Sequence, residues 1–513
     1  MHFKTARSSN APSRFRAMLK GCVITTVFTC WMAGSNICLG APPNVLMIVV
    51  DDMNDWVGCL GGHPNAKTPH IDRLADRGLL LANAHCPAPV CNACRVATMT
   101  GRRPGSTGVY QNKVRWHEVL PDIPTIPQQF KAHGYRTLGG GKVYHHMPGF
   151  NRMSDWHEYS KQIFDGHYHA RLTRGLDVRN LQWPSGFPLN QLPSVKAYRN
   201  PPNNPREFDW GPLSKSDLET GDGKMVQWAE NFLRESPQEP FFLVAGIYRP
   251  HLPFYAPQKY FDLHPQDEIQ LPVVKHGDID DLPPAGKKMA AVRREDYKLI
   301  LEANKYRELL QAYLASISFA DAMVGRLLDA LDASGCVENT IVILWSDHGW
   351  HFGEKDHLHK FTLWERSTRI PFIVVAPGVT ESGTVCRRPA GLIDLFPTLN
   401  ELCGLPPVEN LDGQSLVPLL AEPEREWKRP ALTSHGPGNH SLRTDHWRYI
   451  RYADGGEELY DHRKDPHEWT NLADRAEFQQ TKHEIAKWLP EKDASPLKTK
   501  KRKNVKTPSH DLR

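Results

Sequence analysis

A chain of 513 residues, 40% of them hydrophobic and 24% charged, is long enough to bury one or two large cores. Its formal charge of +5 is carried at the ends: five cations and no acids precede residue 41, and seven Lys/Arg face one Asp between Lys498 and Arg513. The globular remainder is mildly acidic. That excludes a broad basic face for nucleic acid and leaves any anionic substrate to local cations.

In chain order, residues 1–40 read as a signal peptide. Lys4, Arg7, Arg14, Arg16 and Lys20 form a basic n-region, Val23 to Met32 a short apolar stretch, and Gly40-Ala41 a small-residue cleavage site. An uncleaved membrane anchor is the alternative, but the apolar run is shorter than the roughly 20 residues a spanning helix needs. The expected location is therefore periplasmic or secreted, without stable membrane insertion. Four apolar runs, Asn44–Val50, Glu239–Gly246, Thr340–Trp345 and Ile370–Ala376, have the character of strands buried on both faces. Helical patterns lie between and after them, over Pro69–Arg77, Ile126–His133, Lys215–Arg234, Tyr306–Ala333 and Leu392–Cys403. The alternation predicts an α/β domain with a mostly parallel sheet flanked by helices, over 41–425. Residues 145–215, rich in Pro, Asn, His and Trp, read as long active-site loops. Short strand candidates at 431–434, 447–452 and 458–461, then a helix near 478–489, predict a small antiparallel α+β subdomain over 426–490. Residues 491–513 read as a solvated, disordered basic tail, with docking to an acidic polymer or membrane as the alternative.

The seven cysteines beyond residue 40 form no dense disulfide framework, although a pair such as Cys386–Cys403 is conceivable. Cys86, Cys91 and Cys94 lack a second Cys/His pair at zinc spacing. Cys91 opens a probable helix four residues before Arg95, a setting that lowers a thiol pKa. Asp51, Asp52, Asp347 and His348 stand at the ends of buried strands, where α/β folds place ligands. Oxygens from separate strand ends suit Ca²⁺ or Mg²⁺, although turn-capping acids are common there too. Gly139-Gly140-Gly141-Lys142 follows a predicted strand but lacks Walker spacing, and reads as a Lys142-x-x-His145 pair reaching into the strand-end crevice. Prolines on both sides of His251 aim an imidazole suited to protonating a leaving group.

Cys91-Asn92-Ala93-Cys94-Arg95, followed by Thr100-Gly101-Arg102-Arg103-Pro104, resembles the signature of type I sulfatases, with Ala93 where Pro is commoner and Cys94 where Ser is commoner. The resemblance runs over roughly 43–475 and implies an alkaline-phosphatase-like fold. It also implies that Cys91 is converted to formylglycine (3-oxoalanine) by a formylglycine-generating enzyme. In that chemistry one hydroxyl of the hydrated aldehyde attacks sulfur and the other expels sulfate. The matching positions imply one Ca²⁺ at Asp51, Asp52, Cys91, Asp347 and His348, the last standing where many relatives have Asn. Arg95, Lys142, His145, His251 and Lys360 are implied as catalytic: Lys142 on the anion, His145 taking a proton from the hydrate, and His251 with Lys360 bracketing the sulfate. Gly-Lys-Val-Tyr-His, Tyr-Arg-Pro-His-Leu-Pro-Phe and Asp-His-Gly-Trp look most like iduronate-2-sulfatases and their bacterial relatives, implying a sulfated sugar or polysaccharide substrate. The competing readings are a phosphate or phosphonate ester hydrolase of the same superfamily and a non-catalytic carbohydrate-binding relative.

Overall fold

The computed structural model describes residues 42–146, 149–160, 184, 188–192 and 208–498. The expected signal peptide, most of the expected active-site loops and the end of the basic tail lie outside the described residues. An eight-stranded sheet is built from strands between residues 44 and 386. Its strands are β1 (Asn44–Val50), β2 (Leu79–Leu81), β3 (Arg136–Gly141), β4 (Glu158–Ser160), β5 (Phe241–Ile247), β6 (Thr340–Ser346), β7 (Phe372–Val375) and β8 (Thr384–Cys386), in the order β8-β2-β7-β6-β1-β5-β3-β4. β1 lies between β5 and β6, parallel to both. β7 runs antiparallel to β6 and β2, so the expected strand at Ile370–Ala376 points its Pro377-Gly378 end away from the other strand ends.

Alternation along β1 divides the core into two layers. Leu46, Ile48 and Val50 face a cluster with α1 (Pro69–Arg77), α4 (Gly221–Arg234) and α5 (Tyr306–Ala333). Val45, Met47 and Val49 face α2 (Cys91–Thr100), α3 (Ile126–Ala132) and α6 (Leu395–Leu402). Each such fully buried aliphatic side chain contributes about 1.5–3 kcal/mol. α1 begins on Pro69 and is capped from a distance, because Asp321 of α5 accepts the backbone N–H of Ile71 at 2.8 Å. α4 starts later than its pattern predicts: the Thr220 hydroxyl accepts the Gly223 N–H at 2.9 Å and sets the boundary.

The triple glycine lies inside β3 rather than after it. A Cβ on Gly139 would sit 2.8 Å from the Tyr159 ring, and one on Gly141 (φ 70°) 2.0 Å from the Gly246 carbonyl oxygen. These glycines allow close packing that brings Lys142 to the strand end; they form no phosphate loop.

The C-terminal antiparallel sheet runs β9 (Ala431–Ser434), β10 (His440–Arg443), β11 (Trp447–Arg451), β12 (Glu457–Asp461), followed by α7 (Gln479–Ala486). β10 has too little alternation in His-Ser-Leu-Arg to be read in advance. Glu458 of β12 is fully buried and accepts from Trp364 Nε1 (2.7 Å), Tyr452 Oη (2.6 Å) and Tyr460 Oη (2.6 Å), tying this sheet to the segment after Lys360. Glu458→Ala would leave three buried donors unpaired. It is expected to destabilise the protein by at least about 3 kcal/mol in urea unfolding, and a loss under about 1 kcal/mol would remove this tie from the account.

The segment expected as a free tail is anchored at its start. Asp493 Oδ2 accepts from the Gly438 N–H at 2.6 Å, and the Leu497 N–H donates to the Gly108 carbonyl at 2.9 Å. All seven described cysteines are free, so no Cys386–Cys403 disulfide forms; Cys386 Sγ instead contacts the Pro423 carbonyl at 3.3 Å.

Candidate active site

Adjacent parallel strands bring their polar ends together, and this places Asp51-Asp52, just past β1, beside Asp347, just past β6. The Asp52 N–H donates to Asp347 Oδ1 at 3.0 Å. Asp52 has φ 59°, a left-handed conformation that Asp tolerates, and the Tyr313 hydroxyl holds it by donating to the Asp52 carbonyl at 2.8 Å. All three carboxylates are buried.

Cys91 is the first residue of α2, with Val90 as a cap that offers no side-chain acceptor. Four groups crowd its sulfur: Lys360 Nζ at 3.1 Å, His348 Nε2 at 3.4 Å, Asp52 Oδ1 at 3.9 Å and Lys142 Nζ at 4.0 Å. Lys360 also pairs with Asp52 Oδ1 at 2.5 Å, and Lys142 pairs with Asp51. Arg95, one turn along α2, is turned toward the acids. Its Nη2 donates to Asp51 Oδ1 at 2.8 Å and its Nε to Asp347 Oδ2 at 2.9 Å. The cation nearest the sulfur is therefore Lys360, and Arg95 is a clamp between two strand ends.

His251 Nε2 lies 3.8 Å from Asp52 Oδ2, while its Nδ1 lies 2.5 Å from the Leu252 carbonyl oxygen and 2.8 Å from Tyr248 Oη. A carbonyl only accepts, so the neutral ring keeps its proton on Nδ1 and turns the Nε2 lone pair toward the acids. His145 is buried. Its ring packs 4.4 Å from His146, whose ring is 6.0 Å from that of His251. Sequence reasoning assigned no role to Tyr248, which also lies beneath the Lys142 ammonium at 4.9 Å, although it is three residues before His251. Asp222, which accepts the Tyr248 N–H at 2.7 Å, carries no local signal because it comes from α4.

Burial pushes the Cys91 thiol up, and the nearby Lys142 and Lys360 only oppose this. The expectation of a low thiol pKa is thereby corrected: the dry surroundings outweigh the cations. Burial, reinforced by Asp347, pushes Asp51 up to about 7. Burial also raises Asp52 against the pull of Lys360. Asp347 goes the other way. Burial would raise it, but Arg95, His348, Lys142 and Lys360 together hold it well below the usual carboxylate range.

At this site two sets of ligand atoms could hold a cation, Asp52, Cys91, Asp347 and His348, and Asp51, Asp52 and His251, the atoms of each set lying within 4.8 Å of one another. Among the described residues Asp52 Oδ2 is buried without a hydrogen-bond partner, which leaves a lone pair for a cation. The three carboxylates among these donors supply hard oxygens suited to Ca²⁺ or Mg²⁺, beside one sulfur and two imidazole nitrogens. Three carboxylates face three cations, Arg95, Lys142 and Lys360, so a bound dication would leave the site positive and attractive to an anion.

The sulfatase family model matches residues 43–405, and that of the N-sulphoglucosamine sulphohydrolase C-terminal region matches 353–495. A sulfatase of Formosa agariphila is 34% identical, with 88% of this chain and 87% of that protein covered. Iduronate 2-sulfatase of Homo sapiens is 31% identical, covering 71% of this chain and 69% of that protein. The phosphonate monoester hydrolase of Silicibacter pomeroyi shares the fold, with a TM-score of 0.70 at 19% identity over 87% of this chain and 94% of its own.

Proposed function

The chain belongs to the sulfatase family and is a sulfuric ester hydrolase, and we propose that it removes sulfate from a sulfated carbohydrate through a formylglycine made from Cys91. The observation that carries this reading is the position of Cys91 at the head of α2, with Lys360 at 3.1 Å and three strand-end carboxylates around it. The sugar class draws support from the name of the human relative, a uronate sulfatase. Asp51, Asp52, Asp347 and His348 would hold Ca²⁺, which supplies Lewis-acid stabilisation of charge on the sulfate oxygens. Formylglycine supplies a hydrated aldehyde as nucleophile, with a second hydroxyl for sulfate release.

The chain's own side chains do the rest. Lys142 and Lys360 bind the anionic ester and offset the charge that grows on it. His251, once protonated, carries a hydrogen on Nε2 that it can give to the departing alcohol oxygen, because Nδ1 is already committed to Leu252. His145 accepts a proton on the nucleophile side. Arg95 holds Asp51 and Asp347 in place. Residues 1–40 direct the chain to the periplasm or outside the cell, and a formylglycine-generating enzyme acts on it during maturation. Among the described residues no helix is long and apolar enough to cross a membrane.

In natively produced protein the peptide containing residue 91 is expected to weigh about 18 Da less than its cysteine form. Sulfate release from a sulfated oligosaccharide should disappear after EDTA treatment and dialysis and return with Ca²⁺. A fully active protein with an intact thiol would sink the nucleophile. Preferential cleavage of a phosphonate monoester would move the enzyme to the activity of its structural neighbour.

A further inference from the structure

An aromatic pair drawn from two distant parts of the chain borders the nucleophile helix. Phe361 directly follows Lys360, whose ammonium lies 3.1 Å from the Cys91 sulfur and 5.8 Å from the centre of the Phe361 ring. That ring packs on Ala88, Val90 and Ala93, the residues around Cys91 at the start of α2, yet it is only half-buried. Its backbone has φ 77°, a left-handed conformation that a bulky residue keeps only where its surroundings impose it, and such outliers cluster at functional sites.

His435 stands beside it, in the turn between β9 and β10, with ring centres 6.4 Å apart. The end of β9, just before the turn, is pinned to the segment leading into α2: the Ser434 N–H donates to the Pro87 carbonyl at 2.9 Å, and the Thr433 hydroxyl to the Cys86 carbonyl at 2.5 Å. His435 Nδ1 is buried and has no hydrogen-bond partner among the described residues. A buried polar atom left this way costs stability unless a ligand satisfies it. Burial, with His357 nearby, lowers the His435 pKa to about 4, so the ring is neutral near pH 7.

We propose that Phe361 and His435 form the subsite for the pyranose ring that carries the sulfate, the phenyl face receiving its C–H face and His435 Nδ1 meeting a ring hydroxyl. A pyranose has an apolar face and a polar rim, and an aromatic plane beside an uncharged hydrogen-bonding nitrogen is complementary to both. The proposal rests on the sulfated-carbohydrate reading above.

The test is calorimetric binding to the Cys91→Ala protein in the presence of Ca²⁺, with two probes: a uronate-2-sulfated disaccharide, and methyl sulfate, which keeps the ester but lacks the ring. Phe361→Ala and His435→Ala are each expected to weaken disaccharide binding about tenfold while methyl sulfate changes by less than about threefold. Phe361→Leu keeps the packing on Ala88 and Val90 without the flat face, and should show the same selective loss if Phe361→Ala folds poorly. Equal losses for both probes, or no loss, would overturn the subsite. If the parent protein binds methyl sulfate but not the disaccharide, the subsite is likewise wrong. If it binds neither, the sulfated-carbohydrate reading itself fails and the subsite falls with it.

Discussion

Cys91→Ala is expected to lower turnover of a sulfate ester by roughly five to six orders of magnitude, the scale on which enzymes lose rate when a covalent nucleophile is removed. Its melting temperature should stay within about 3 °C of the parent, because the change removes only the reactive group at position 91 from a site whose other contacts persist. Lys360 keeps its pairing with Asp52, Lys142 its pairing with Asp51, and Arg95 its two carboxylates. Steady-state kinetics on a chromogenic sulfate, together with a thermal melt, separate chemistry from folding. Residual turnover above about a hundredth of the parent would exclude position 91 as the nucleophile.

Arg95→Ala should do the opposite and strike the fold itself. The guanidinium is fully buried and bridges Asp51 at 2.8 Å and Asp347 at 2.9 Å. Its Nη1 also donates to the Val143 carbonyl at 3.1 Å, linking β1, β6 and the loop after β3. Removing one partner of a buried ion pair costs about 3–5 kcal/mol, since the remaining charges stay desolvated. Two acids are left facing each other here, so the upper end of that range is expected in denaturant unfolding. The measurement belongs in chelator, where a cation cannot replace the lost charge. Arg95→Lys keeps the charge but lacks the planar fork needed to reach both carboxylates, and should fall between the two. A loss under about 1 kcal/mol for Arg95→Ala would show that the clamp carries no weight.

Local pattern and distant geometry were legible to different degrees. Asn44–Val50 and Tyr306–Ala333 form where their apolar patterns place them, because burial on both faces and helical periodicity are written in consecutive residues. Gly139–Gly141 could not be read in the same way: what those glycines permit depends on Tyr159 and on Gly246 of the neighbouring strand. β10 was invisible because a four-residue strand with two basic ends has no pattern of its own, and its partners β9 and β11 supply its register. The thiol pKa was misjudged for a related reason. Neighbouring cations can be read from a sequence, but desolvation cannot.

The chain's residues, read alone, specified an α/β fold, acids at strand ends, a cysteine at a helix head and the family those features belong to. Each of these depends on residues adjacent or nearly adjacent in the chain. The tertiary structure decided the direction of β7, the turning of Arg95 toward Asp51 and Asp347, the approach of Lys360 to Cys91, and the meeting of His435 with Phe361. These depend on which strands lie side by side and on which side chains share a dry interior, and long-range packing alone settles both.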